Sequence, residues 1–246
     1  MFKKLFFVLA IIIISSSILS AQVPGNFKNL KVLPKNIQKN DLTNIMKGFT
    51  AALGVRCSFC HVGEEGKPLD TYDFASDEKT SKQKARIMLN MTRDINSQYL
   101  SKLSEFSNHI EKVECVTCHR GAKEPKSLDD IMLGVIKRKG VDEAVKTYHE
   151  LYDKYYGGFT YDFRDHTLVS VVQGLVKDNK FDEAVAIGKL NLEMYPISGV
   201  ANFGMGQAFE AKGDKVNALA SYKKALEIMP DGARFLNKKI EALQGN

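Results

Sequence analysis

Two short patterns carry the chemistry in this chain. Cys57-Ser58-Phe59-Cys60-His61 and Cys115-Val116-Thr117-Cys118-His119 share the form C-x-x-C-H and use all four cysteines. Two thiols three positions apart can each add to a vinyl group of a haem, and the adjacent imidazole then supplies a nitrogen to its iron. A redox dithiol or half of a zinc site explains one C-x-x-C pair. Neither explains a histidine placed identically after both. The doubled pattern predicts two covalently bound haem c groups, attached at Cys57, Cys60, Cys115 and Cys118, with His61 and His119 on the irons.

The sixth ligand decides whether such an iron carries electrons or binds small molecules. Met46 lies on an apolar helical face running into the first motif, so it is a candidate ligand and equally a candidate core methionine. Met88 and Met91, three residues apart, compete for the second iron. His109, shortly before Cys115, is a third candidate there. His149 and His166 read as surface residues.

The elements that must position these groups are helical. Leu42, Ile45, Met46, Phe49 and Leu53 repeat at helical spacing, with Asp41 as the expected N-cap and Gly54 as the stop. A second helix is expected from Ser76, with Asp77 and Glu78 in its first turn and Ala85, Met88, Met91, Ile95 and Tyr99 on its buried side. A looser stretch, 104–114, then reaches Cys115. A short connecting helix is expected over 127–140. The last third repeats: Asn179–Pro196 aligns with Gly213–Pro230 at an offset of 34 residues, pairing Ala184 with Ala218 and Pro196 with Pro230. That period and pattern predict tetratricopeptide-like helical hairpins, which present surfaces to partners. Val141–Val145 marks a degenerate first repeat, with an insertion near Gly157 and Gly158.

Lys3 and Lys4, the apolar run Leu5–Ile14 and the serines before Ala21 read as a secretory signal peptide over 1–21. Export agrees with haem attachment outside the bacterial cytoplasm and predicts a periplasmic location, with membrane association as a further option. The net charge of +6 is concentrated before Lys126, where haem propionates would offset it. No basic stripe with interleaved aromatics exists, which argues against nucleic acid as a partner. The expected organisation is all-α: a signal over 1–21, a dihaem cytochrome c domain over 22–126, a connecting helix over 127–140 and a helical repeat domain over 141–246.

The stretch from Leu30 to Pro125 resembles the haem-binding units of the photosynthetic reaction-centre cytochrome c subunit family. The resemblance rests on Met46, Ala52-Leu53-Gly54-Val55, Phe74-Ala75-Ser76-Asp77, Arg86-Ile87-Met88, Ile95-Asn96-Ser97 and both C-x-x-C-H motifs, the second continued by Arg120-Gly121. It implies Met46 as the sixth ligand of the first iron and Met88, eight residues before Asn96, for the second, with Met91 as the fallback. His109 lies near the family's histidine that crosses to a haem in the other half of its subunit. That subunit carries four haems in two similar halves, whereas this chain has two motifs and a helical repeat. The resemblance thus implies a non-enzymatic carrier of single electrons between redox partner proteins, including a membrane-associated electron-transfer complex. The alternative is a haem enzyme with one open iron, peroxidase-like or nitrogen-oxide reducing.

Overall fold

A computed structural model describes residues 27–245. The expected signal segment, 1–21, lies outside the described residues. The described chain is all-α; its single β feature is an isolated antiparallel bridge between Val62 and Asp73. No described helix is long and apolar enough to cross a membrane.

The chain divides into two compact units. The first holds Val55–Val113 together with the described residues up to Thr50. Helix α1 spans Lys39–Leu53, three residues earlier than an Asp41 cap requires, so Asp41 sits inside its first turn. Gly54 ends it at φ +62°, a left-handed conformation that glycine adopts without a Cβ penalty. Helix α2 spans Thr80–Asp94, not from Ser76. Asp77 is withdrawn from the helix start because its carboxylate binds Lys31 (2.7 Å) and Arg86 (2.8 Å), with Lys82 at 3.4 Å. Lys82 also donates to the carbonyls of Phe74, Ala75 and Ser76, filling that turn with side-chain donors. A π-helical turn, Ile95–Tyr99, continues α2. Within it Asn96 pairs with both backbone groups of Val113 at 2.8 Å each, pinning the chain just before the second motif.

The face of α2 expected to be buried is not buried by protein. No α2 residue is buried, and Met88 and Met91 are 38% and 40% exposed. Periodicity marks a face as apolar without saying whether a helix or another apolar body covers it.

The second unit holds Ala51–Gly54 and the chain from Glu114 onward. After α3 (Cys115–His119) come α4 (Leu128–Lys139), α5 (Val141–Tyr155), α6 (Asp165–Lys177), α7 (Phe181–Met194), α8 (Gly199–Lys212), α9 (Lys215–Ile228) and α10 (Ala233–Gln244). The Ser127 hydroxyl caps α4 by accepting from the Asp130 amide, and Gly140 closes it at φ +89°. Helices α7 and α9 begin 34 residues apart, matching the repeat read from sequence. Helix α5 begins 40 residues before α7; the excess lies in the loop between α5 and α6 that contains Gly157 and Gly158. Small residues let the helices approach: a Cβ on Gly206 would fall 2.5 Å from the Tyr222 ring. Both hydrophobic clusters found among the described residues lie in this array. The larger is built on Met132, Tyr148, Leu168, Leu175 and Ile187, the smaller on Tyr222, Leu236 and Ile240.

Candidate haem-binding site

The first motif is wound into one tight turn. The Cys57 carbonyl accepts from the amides of Cys60 (3.2 Å) and His61 (3.0 Å), which brings both thiols and the imidazole onto a single turn. The two intervening carbonyls are taken up by the start of α2. Lys79 Nζ donates to Ser58 at 2.5 Å, and the Ser81 hydroxyl donates to Phe59. A hairpin-like loop closes beside the turn. The Asp73 amide donates to Val62 (2.8 Å), and buried Tyr72 donates its hydroxyl to Glu64 (2.8 Å). Gly63 lies against that ring, where an added Cβ would stand 2.4 Å from it.

His61 meets the Phe74 ring edge-on at 4.9 Å. Burial, then the positive field of Lys82, lowers its pKa to about 4. Arg86 and Lys79 act in the same direction, and the Phe74 backbone carbonyl acts against it. The imidazole is therefore neutral near pH 7, with a lone pair available to a metal. Its Nδ1 is buried without a hydrogen-bond partner.

The second motif is a short helix, α3. The Glu114 amide donates to the Thr117 hydroxyl at 3.0 Å, and the Thr117 amide donates to the Glu114 carbonyl at 3.1 Å. Beyond His119 the chain reverses sharply. The Ala122 amide donates to the His119 carbonyl at 2.9 Å, across Arg120 and Gly121 at φ +48° and +87°. Two successive positive φ values are the mark of a type I′ turn. That turn delivers the Ala122 carbonyl to 2.9 Å from His119 Nδ1. A carbonyl only accepts, so the ring carries its proton on Nδ1 and leaves Nε2 free to bind a metal.

All four cysteines are free thiols; Cys57, Cys60 and Cys115 are half-buried and Cys118 is exposed. Burial raises the Cys60 and Cys115 pKa values. Among the described residues no three His, Cys, Asp or Glu side chains gather as a metal cluster. Each motif offers instead two thiols and one imidazole, and that donor set fits a covalently held haem. Met46 is half-buried on α1 and precedes its motif by less than a helix length. Met88 and Met91 occupy the uncovered face of α2. His109 is exposed and bonds Glu111 at 2.9 Å, and His166 meets Asp162 at 3.2 Å.

Sequence reasoning missed the groups that orient the second histidine. The Ala122 carbonyl and the Thr160 hydroxyl, which donates to Arg120 at 2.6 Å, leave no trace in a motif defined by side chains. Arg120-Gly121 directly after the histidine was the visible signal of a turn.

A family model described as photosynthetic reaction centre cytochrome C subunit matches residues 16–147. Cytochrome c-554 of Chloroflexus aurantiacus is 33% identical over 104 residues, covering 42% of this chain and 22% of that protein. The photosynthetic reaction center cytochrome c subunit of Rubrivivax gelatinosus is 30% identical over 109 residues, covering 38% of this chain and 28% of that one. The chain thus spans about a quarter of the length of these curated relatives. Among solved structures, the first TPR of Spaghetti (RPAP3) bound to an HSP90 peptide aligns at a TM-score of 0.34 and 17% identity, covering 48% of this chain and 88% of that one. Since the family match runs through both C-x-x-C-H turns and over more than half of the residues, this chain belongs to the photosynthetic reaction centre cytochrome c subunit family.

Proposed function

We propose that this protein is an exported dihaem c-type cytochrome that carries single electrons between redox partners and is not an enzyme. One observation carries the reading: both motifs combine two free thiols with an imidazole able to bind a metal. Cys57 and Cys60 hold the first haem, with His61 and Met46 on its iron. Cys115 and Cys118 hold the second, with His119 and Met88, or Met91 in its place. When bound, each haem supplies a one-electron iron couple. The chain's own residues set the ligand, its tautomer and the local charge.

The haem-bearing segment is 22–126, and the helical repeat, 141–246, is the docking surface for a redox partner, including a membrane-associated complex. Two side chains standing far out of the array, Phe159 at 92% and Ile197 at 86% exposure, support docking there. The family membership supports a periplasmic location, reached by cleavage after Ala21. N-terminal sequencing of the mature protein from a periplasmic fraction should begin at Gln22.

Carbon monoxide tests the carrier reading. Added to the fully reduced, haem-loaded protein, it should leave the absorption spectrum unchanged, because a methionine closes each iron. A rapid spectral shift would show an open sixth position and transfer the protein to the haem-enzyme class.

A further inference from the structure

The turn after His119 is held from outside at one peptide group. Its central peptide joins Arg120 to Gly121. The carbonyl of that peptide accepts the Thr160 hydroxyl at 2.6 Å, and its N–H donates to the Ala52 carbonyl at 2.8 Å. Thr160 is 8% exposed and lies 40 residues along the chain, in the insertion between α5 and α6. Arg120 is not glycine, so its left-handed conformation is strained and persists only where the surroundings impose it. With both ends of the peptide fixed, its plane cannot rotate. Two carbonyls further on, that of buried Ala122 lies 2.9 Å from His119 Nδ1, its own N–H held on the His119 carbonyl across the same turn. His61, at the first motif, has no hydrogen-bond partner on its buried Nδ1.

We propose that Thr160 is a positioning residue for the second haem: by fixing the Arg120–Gly121 peptide it keeps the His119 Nδ1–H on the Ala122 carbonyl, and so lowers that haem's reduction potential. The proposal rests on the reading that His119 is an axial ligand. A histidine that donates its distal N–H to a fixed acceptor is a more basic ligand. A more basic ligand favours the oxidised iron. Thr160 thus lets a loop of the repeat segment act on the electronics of the second site.

The test is an optical redox titration of the full, haem-loaded chain and its Thr160→Val and Thr160→Ser variants. Valine keeps the shape and removes the hydroxyl; serine keeps the hydroxyl. Two reduction steps are expected in the unsubstituted protein. In Thr160→Val one step should move to higher potential by about tenfold in its equilibrium constant, ~59 mV for one electron. The other step should stay in place, and Thr160→Ser should restore the pair. Two steps that both stay put in Thr160→Val overturn the proposal. A haem content of one or none per chain in the unsubstituted protein overturns the dihaem reading instead. Should Thr160→Val not mature, nitrogen-15 NMR of the haem-free unsubstituted chain decides. A His119 proton on Nδ1 supports the clamp, and a predominantly Nε2–H ring rejects it.

Discussion

Single side chains divide this protein's chemistry into covalent attachment, iron ligation and orientation, and the three were not equally visible. The thiols and imidazoles announce themselves because haem attachment demands them at fixed spacing. A methionine ligand cannot be told from a core methionine by pattern alone, so pattern made Met46, Met88 and Met91 candidates and family likeness was needed to rank them. Orientation came from backbone carbonyls, which any residue supplies. Met46→Leu should open the first iron, giving carbon monoxide binding on one haem where the unsubstituted protein binds none. Met88→Leu should do the same on the second haem; if its low-spin spectrum and potential persist, Met91 is the ligand. Asp77 gives a pH prediction. Its hydrogen bond from Lys31, with those from Arg86 and Lys82, holds the carboxyl well below the usual carboxylate range. A depressed carboxylate stabilises the fold above its unfolded pKa of about 3.9, and that contribution fades as pH falls through the lower folded value. Asp77→Asn should therefore lower the melting temperature at pH 7 more than at pH 3.

At the level of elements, periodicity located the helices and failed at their starts. Asp41 and Asp77 both sit where an N-cap or a first-turn acid is favoured, yet α1 begins earlier and α2 later. Three cations compete for the Asp77 carboxylate more strongly than a helix dipole worth about 0.3–1 kcal/mol. The repeat was legible because a 34-residue offset recurs in small residues and prolines, and α7 and α9 keep that offset. Gly54 was visible as a helix stop. Its second role was not: an added Cβ would stand 2.0 Å from the Gly121 carbonyl oxygen. Gly54→Ala should therefore destabilise the protein by more than about 1 kcal/mol, the strain of positive φ adding to the clash. Urea unfolding followed by circular dichroism checks this, and an unchanged midpoint would show that the contact is not maintained in solution.

Across the whole molecule, apolar burial is unevenly distributed. The helical array carries both hydrophobic clusters found among the described residues, whereas α2 buries nothing. The array should fold on protein contacts alone, and the haem segment should depend on its cofactors for a core. Leu168, fully buried, makes a direct probe. Leu168→Ala should cost about 2–5 kcal/mol in urea unfolding. In the haem-free protein, hydrogen exchange should find the amides of α6–α9 strongly protected and those of α2 weakly so, with protection of α2 rising once haem is attached. Equal protection in both states would mean that α2 does not rely on haem. The array's composition and period told its fold, since every helix needs a neighbour to cover it. No such argument reached the haem segment, because the body expected to cover its apolar face is not made of amino acids.

The central claim is that both C-x-x-C-H turns carry covalent haem. The most direct measurement is the intact mass, under denaturing conditions, of the protein matured in a cell able to attach haem c. The account predicts a gain of two haem masses over the bare polypeptide, falling to one when Cys115 and Cys118 are replaced together. A gain of one haem or none in the unsubstituted protein would contradict it.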